Sequence, residues 1–294
     1  MPLADIPESE LDAPTWKTVF KLIGHTARLL FKERLGIVLG SSFLLMMVWG
    51  SEGKLPLLGM VFPGWRPSCN PRFDAGCVLP RPHAILPVPW DQEWAGFLIG
   101  LVLLVGIPMV IIKLVLRERW SDYGLGGPGP GKWRLTILST VMLFGLTLPL
   151  FLAGANDPAM QREYPLYHGT FASLGQFAVY ELGYFAFFVV IEFIFRGYLL
   201  FGLFHSHRSQ VQLGTTALAG RSAFGIYAIF LSMLSYTAWH LAKPVPEAWG
   251  TLGWGIAAGA IVLATRTVWP VILVHWLLNV VLDFKIVQRL GGFE

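Results

Sequence analysis

The chain has 294 residues, of which 54% are hydrophobic and only 14% are charged, and its formal net charge is +4. Soluble domains carry about 25% charged residues, so this composition excludes an ordinary soluble protein. No basic cluster with interleaved aromatic residues is present, which excludes a nucleic-acid-binding surface. The length fits one membrane domain rather than several soluble ones.

Residues 1–34 are predicted to form an amphipathic segment on the cytoplasmic side. Trp16, Phe20 and Ile23 recur at helical spacing, and lysines such as Lys17 and Lys21 lie between them. This pattern is typical of a helix that lies on an anionic membrane surface. A helical extension of the first membrane span is an equal alternative.

The rest of the chain contains seven apolar segments that are candidates for membrane spans. Crossing the hydrocarbon takes about 20 residues, and several segments approach that length. We therefore predict an all-α, polytopic transmembrane helical bundle with about seven spans. The predicted spans are 35–50, 94–116, 134–154, 171–203, 223–242, 250–265 and 268–286. Residues 35–164 form the N-terminal transmembrane helices, and residues 165–290 form a C-terminal core.

The distribution of Lys and Arg predicts the orientation of the chain. Basic residues are more frequent in the segments on the same side as the N-terminus than in the others. The positive-inside rule then places the N-terminus in the cytoplasm and the 51–93 loop outside, in a multi-pass protein of a prokaryotic cytoplasmic membrane. Cys69 and Cys77 lie in that loop, where disulfides persist. A disulfide is the favoured prediction, free thiols are the next alternative, and a metal site is the least favoured.

Polar residues inside the apolar segments are the main functional signal. They are Glu192, Arg196, His240, His275 and Asn279. A charge at bilayer depth costs at least about 2.5 kcal/mol, so we expect these side chains to gather in one water-accessible site. The structural alternative is a self-neutralising Glu192–Arg196 pair, with His275 and Asn279 making hydrogen bonds between helices.

The order of these residues resembles the CAAX-protease and bacteriocin-processing (CPBP) family of intramembrane proteases, which includes the type II CAAX prenyl endopeptidases. The family pattern is E-E-x-x-x-R, then F-x-x-x-H, then H-x-x-x-N. Here the motifs are Ile191-Glu192-Phe193-Ile194-Phe195-Arg196, Tyr236 to His240, and His275 to Asn279. The resemblance covers about residues 165–285 and implies that segment 165–290 is the protease core.

The resemblance implies a role for each matching residue. His240 would assist the attacking water, His275 with Asn279 would stabilise the oxyanion, and Glu192 with Arg196 would support the site. The implied substrate is a membrane-anchored or lipidated protein in the lipid bilayer, cleaved near its C-terminus or membrane tail. The pattern indicates no cofactor. Zinc held by Glu192, His240 and His275 is an alternative, although H-E-x-x-H is absent.

The chain departs from the family pattern at Ile191, which occupies the position of the first Glu. Two hypotheses therefore stay open, and the family relationship favours the first. The protein is an endopeptidase, or it is a catalytically impaired member that acts as a binding partner or scaffold for a membrane protein, including an active paralogue. A small transporter is a third alternative, but no repeat between the two halves supports it.

Overall fold

A computed structural model describes residues 15–32, 34–50, 88, 90–204 and 221–293, and all longer regular elements there are helices. This confirms the predicted helical membrane bundle. The helices are α1 (Trp16–Lys32), α2 (Arg34–Gly50), α3 (Glu93–Val115), α4 (Trp133–Gly154), α5 (Pro158–Glu163), α6 (Leu174–Phe204), α7 (Arg221–Trp239), α8 (Val245–Thr265) and α9 (Trp269–Arg289).

Every predicted span falls on a helix. Helices α3, α4, α6, α8 and α9 are long and apolar enough to cross a membrane, while α2 is apolar but shorter. The protein is therefore a multi-pass membrane protein. The last two spans were predicted too short, because α8 begins at Val245 and α9 continues to Arg289. Hydropathy detects only the apolar middle of a helix, whereas a proline in the first turn marks its true start.

Helix α6 is the centre of the bundle. It has 31 residues and is mostly buried, whereas about 20 suffice to cross the hydrocarbon. It packs against α2, α3, α7 and α9. Gly202 permits the close approach of α2, because a Cβ there would meet the side chain of Val38 at 2.5 Å. Because other helices cover most of α6, polar side chains on α6 do not have to contact lipid.

A π-helical segment interrupts α6 at the motif. The helix is regular through Glu192 and continues as a π-helix over Phe193–Leu199. A π segment rotates the following side chains relative to an α-helix, and such segments are frequent at functional sites. Glu192 and Arg196 still contact each other.

An ion-pair network joins three segments at one end of the bundle. Arg34, at the start of α2, donates to Glu118 from Nε at 2.7 Å and from Nη2 at 2.8 Å, and to the carbonyl of Gly202. Tyr123 donates to the same carboxylate. Burial raises the pKa of Tyr123, so the phenol stays a donor. The network ties α2 and the segment after α3 to the end of α6.

The orientation of the chain remains a prediction. Cys69 and Cys77 lie outside the described residues. With the N-terminus in the cytoplasm, an impermeant thiol reagent applied to intact cells after mild reduction should modify both cysteines. A Cys69→Ser/Cys77→Ser variant that carries Ser121→Cys serves as the inside control, because exposed Ser121 follows α3. Labelling of the natural cysteines only after the membrane is opened would reverse the orientation.

Candidate active site

The end of α7 and the adjoining helices supply the polar residues of the site. Glu192 and Arg196 lie on α6, His275 and Asn279 lie on α9, and His240 follows the last residue of α7. A short turn after His240 leads to Pro244, which caps the start of α8. Because this turn is short and the two helices pack against each other, the end of α7 and the start of α8 are adjacent.

Glu192 is fully buried and holds the ring of His275 in place. Its Oε1 atom lies 2.7 Å from Nδ1 of His275 and accepts a hydrogen bond from Nε1 of Trp254 at 3.0 Å. A carboxylate only accepts hydrogen bonds, so Nδ1 of His275 carries the proton. The contact orients His275 and leaves Nε2 of its ring available for other partners.

Arg196 neutralises the charge of Glu192 and packs on an aromatic ring. Its Nε atom lies 3.4 Å from Oε2 of Glu192, and both side chains are fully buried. The guanidinium carbon lies 3.9 Å from the centre of the Tyr236 ring, within the range of a cation–π contact. The aromatic position of the second motif therefore supports the first motif directly.

The ring of His240 is held by a backbone carbonyl one helical turn earlier, and it faces a carboxylate. Nδ1 lies 2.7 Å from the carbonyl oxygen of Tyr236, so Nδ1 donates. Nε2 lies 3.6 Å from Oε1 of Glu247. Tyr164 donates to the same oxygen at 2.8 Å, and burial raises the pKa of Tyr164, so the phenol stays protonated. These contacts place Nε2 of His240 beside a carboxylate from α8.

The sequence analysis missed Glu247. The predicted sixth span begins at residue 250 and does not include the segment before it. In the structure this segment is the first turn of α8, with Pro246 and Glu247 in it. An acidic residue directly after a proline is a recognisable helix-start signal, but nothing local indicates that it faces His240.

Asn279 is oriented by a buried acid on its own helix. Its Nδ2 atom donates to Oδ2 of Asp283 at 3.0 Å, and Asp283 is fully buried. The carboxyl group of Asp283 interacts in turn with that of Glu181 on α6. An amide nitrogen has two hydrogens, so Asn279 keeps one donor for another partner.

A cavity of about 460 Å³ lies between α4, α8 and α9. Its polar lining consists mainly of Tyr164, Tyr236, Glu247, His275 and Asn279, and its apolar lining includes Leu146, Leu150, Phe151 and Trp254. The side chains of Glu192 and Arg196 do not line the cavity. The cavity therefore presents His275 and Asn279 to a bound molecule, while the Glu192–Arg196 pair supports them from within the protein.

The structure brings the predicted site residues into one region. Glu192, Arg196 and His275 form one cluster. The Tyr236 ring lies between the two histidines, with its centre 4.4 Å from that of His240 and 6.5 Å from that of His275. In the part of the chain that the structure describes, no three His, Cys, Asp or Glu side chains are arranged to hold a metal. Glu192, His240 and His275 are therefore not arranged as a zinc-ligand set in this part of the chain.

Residues 173–281 match the family model of type II CAAX prenyl endopeptidase Rce1-like proteins. Over this range the chain is similar to the CAAX proteases. The predicted resemblance to the CPBP family is thereby confirmed, and the matched range of this Rce1-like domain contains all five predicted site residues. No curated protein and no solved structure matches the chain significantly.

Ile191 is the point at which this Rce1-like domain departs from the motif. Its side chain is only 4% exposed and belongs to the main hydrophobic cluster. The carboxylate that the motif would place there is replaced by apolar packing.

Proposed function

We propose that the protein is an intramembrane endopeptidase of the CAAX type. It hydrolyses a peptide bond near the C-terminus or membrane tail of a membrane-anchored or lipidated protein. The site lies in the cell membrane of a prokaryote, with the N-terminus in the cytoplasm. The observation that carries the proposal is the cavity lined by His275 and Asn279, in which Glu192 holds the ring of His275 through Nδ1.

His275 and Asn279 are suited to stabilise an oxyanion. Hydrolysis of an amide places negative charge on the carbonyl oxygen, and preorganised donors lower the barrier to that step. In its doubly protonated form His275 keeps Nδ1–H on Glu192 and presents Nε2–H to the oxyanion. Asn279 adds its second N–H, since Asp283 occupies only one. Glu192 supplies the countercharge to the ring.

His240 is suited to orient the attacking water. Its Nδ1–H is committed to the carbonyl of Tyr236, so Nε2 of the neutral ring is a hydrogen-bond acceptor. A water that donates to Nε2 can direct its oxygen lone pair at the substrate carbonyl. This division of roles between donors and an acceptor is what amide hydrolysis requires.

The apolar wall of the cavity supports a substrate with a membrane tail. Leu146 and Leu150 of α4 line the cavity, and their side chains are also largely exposed on the outer face of the bundle. In a membrane, that face of a spanning helix contacts lipid. A lipidated or apolar peptide end can therefore approach the polar residues from the bilayer side.

The proposed function predicts cleavage of a lipidated peptide by the purified protein. The test uses protein reconstituted in liposomes with peptides that carry a prenylated cysteine near the C-terminus, and mass spectrometry identifies the products. We expect one main cleavage site. His240→Ala should lower kcat by about 10²-fold, since the attacking water loses the group that positions it. His168→Ala is the control, because that ring contacts the carbonyl of Glu163 outside the cavity.

A different result would favour the binding role. If the folded wild-type protein retains the lipidated peptide but never cleaves it, the chain is a catalytically impaired member. Co-purification of an active paralogue would then point to a scaffold.

A further inference from the structure

The described site lacks an assigned acceptor for the proton of the attacking water. The family motif would place a carboxylate at Ile191, and that side chain packs in the apolar core. Glu192 is occupied by His275, Trp254 and Arg196 and does not line the cavity. A carboxylate elsewhere is therefore needed if the chain hydrolyses amides.

Glu247 occupies the position that such a group requires. Among the cavity-lining residues in the described part of the chain, it carries the only carboxylate. Its Oε1 atom lies 3.6 Å from Nε2 of His240, the nitrogen that we assign to the attacking water. His240 and Glu247 therefore offer two acceptors side by side.

The environment of Glu247 indicates more than a structural role. Tyr164 donates to Oε1, whereas Oε2 is buried and has no hydrogen-bond partner among the described residues. A buried carboxylate oxygen without a protein donor, beside a histidine and a cavity, is suited to take up a proton during a reaction.

We propose that Glu247 is the catalytic carboxylate of this protein and replaces the first Glu of the family motif. In this assignment the catalytic carboxylate lies in the first turn of α8 and not on α6. The inference rests on the proposed endopeptidase function and deepens it.

The reaction step balances with these groups alone. The water donates one hydrogen bond to Nε2 of His240, and its other proton passes to the Glu247 carboxylate as the oxygen bonds to the carbonyl carbon. The carbonyl π electrons move to the oxygen, which His275 and Asn279 stabilise. Glu247 then returns the proton to the amide nitrogen as the C–N bond breaks. The products are a carboxylic acid and an amine.

The test compares Glu247→Gln, Ile191→Glu and the double variant Glu247→Gln/Ile191→Glu. In Glu247→Gln we expect kcat on the lipidated peptide to fall by about 10²- to 10⁴-fold, with KM changed less than about threefold. The amide oxygen of Gln can still accept from Tyr164, which limits loss of stability. In the double variant, kcat should be at least about tenfold higher than in Glu247→Gln, because Ile191→Glu returns a carboxylate to the family position.

Glu163→Gln is the matched control. Glu163 forms an ion pair with Lys243 near the same end of the bundle but outside the cavity lining. We expect its kcat to stay within about twofold of the wild-type value. Thermal unfolding of every variant in detergent separates loss of catalysis from loss of fold.

A further variant covers the case in which Glu247→Gln does not fold. Glu247→Asp keeps the carboxylate but withdraws it by one methylene group. If Glu247 accepts the proton, the acid limb of the kcat/KM profile should move in this variant. An unchanged acid limb with an unchanged kcat would overturn the inference.

The outcomes separate the inference from the proposed function. Full activity in Glu247→Gln overturns the role of Glu247 and leaves the endopeptidase standing. An inactive wild-type protein that gains activity with Ile191→Glu shows a protease scaffold in which Glu247 does not compensate. Absence of activity in every folded variant, Ile191→Glu included, overturns both proposals.

Discussion

Glu192→Leu is expected to destabilise the folded protein by about 3–5 kcal/mol, because it leaves the buried charge of Arg196 without a counter-ion. Both side chains of this pair are completely buried, so the pair is shielded from bulk water. The change also removes the acceptor for His275 and Trp254. The measurement is the midpoint of unfolding in detergent as the denaturant concentration or the temperature rises.

A double variant distinguishes a charge effect from a packing effect. Glu192→Leu/Arg196→Met replaces the whole pair by apolar side chains and should recover most of the lost stability. An uncompensated buried charge destabilises a protein strongly, whereas replacing a whole buried pair is often neutral. Glu163→Leu breaks a more exposed ion pair and should cost at most about 1 kcal/mol. If the double variant is as unstable as Glu192→Leu, the pair is not the cause.

Asn279→Ala is expected to lower kcat by about 10²- to 10³-fold, since removal of one oxyanion donor costs about 2.7–4 kcal/mol. Asn279 lines the cavity beside His275, and its amide is anchored on Asp283. The measurement is the steady-state rate of peptide cleavage, analysed for kcat and KM separately.

The control for this change is Asn156→Ala. Asn156 donates to the carbonyl of Leu152 at the end of α4, outside the cavity lining. It should leave kcat unchanged. An increase of KM without a loss of kcat in Asn279→Ala would mean that Asn279 binds substrate and does not stabilise the transition state.

Much of the fold was predictable because hydropathy is a local property. The helices α3, α4 and α6 lie within a few residues of the predicted spans, since each apolar run is bounded by polar residues or by a loop rich in glycine and proline. The start of α8 was not predictable in this way. Its first turn is polar, because it faces Tyr164 and His240 rather than lipid.

The motif residues were also predictable as a group. Charges and amides inside apolar spans are costly, so Glu192, Arg196, His240, His275 and Asn279 stood out without any structure. The sequence does not indicate a functional role for residue types that are common in membrane helices. Trp254 is one example, because a tryptophan in a membrane helix gives no sign that its indole donates to Glu192.

Glu181 has a neighbour that the sequence does not indicate. Eleven residues separate it from Glu192, or about 16 Å along an α-helix, which is too far for Glu181 to replace the missing acid directly. The structure places it close enough to interact electrostatically with the carboxyl of Asp283 on α9, which in turn orients Asn279. The contact joins positions about a hundred residues apart, and no sequence pattern in either helix indicates it.

The sequence by itself determined that the chain is a helical membrane protein and which polar residues lie at bilayer depth, because both follow from the composition of single segments. The tertiary structure alone decided how those segments meet. It placed Glu247 beside His240. It also brought Trp254 and His275 into contact with Glu192, and Asp283 into contact with Asn279. The physical reason is that helix packing and the π segment of α6 set which faces meet, and these depend on all neighbouring helices together.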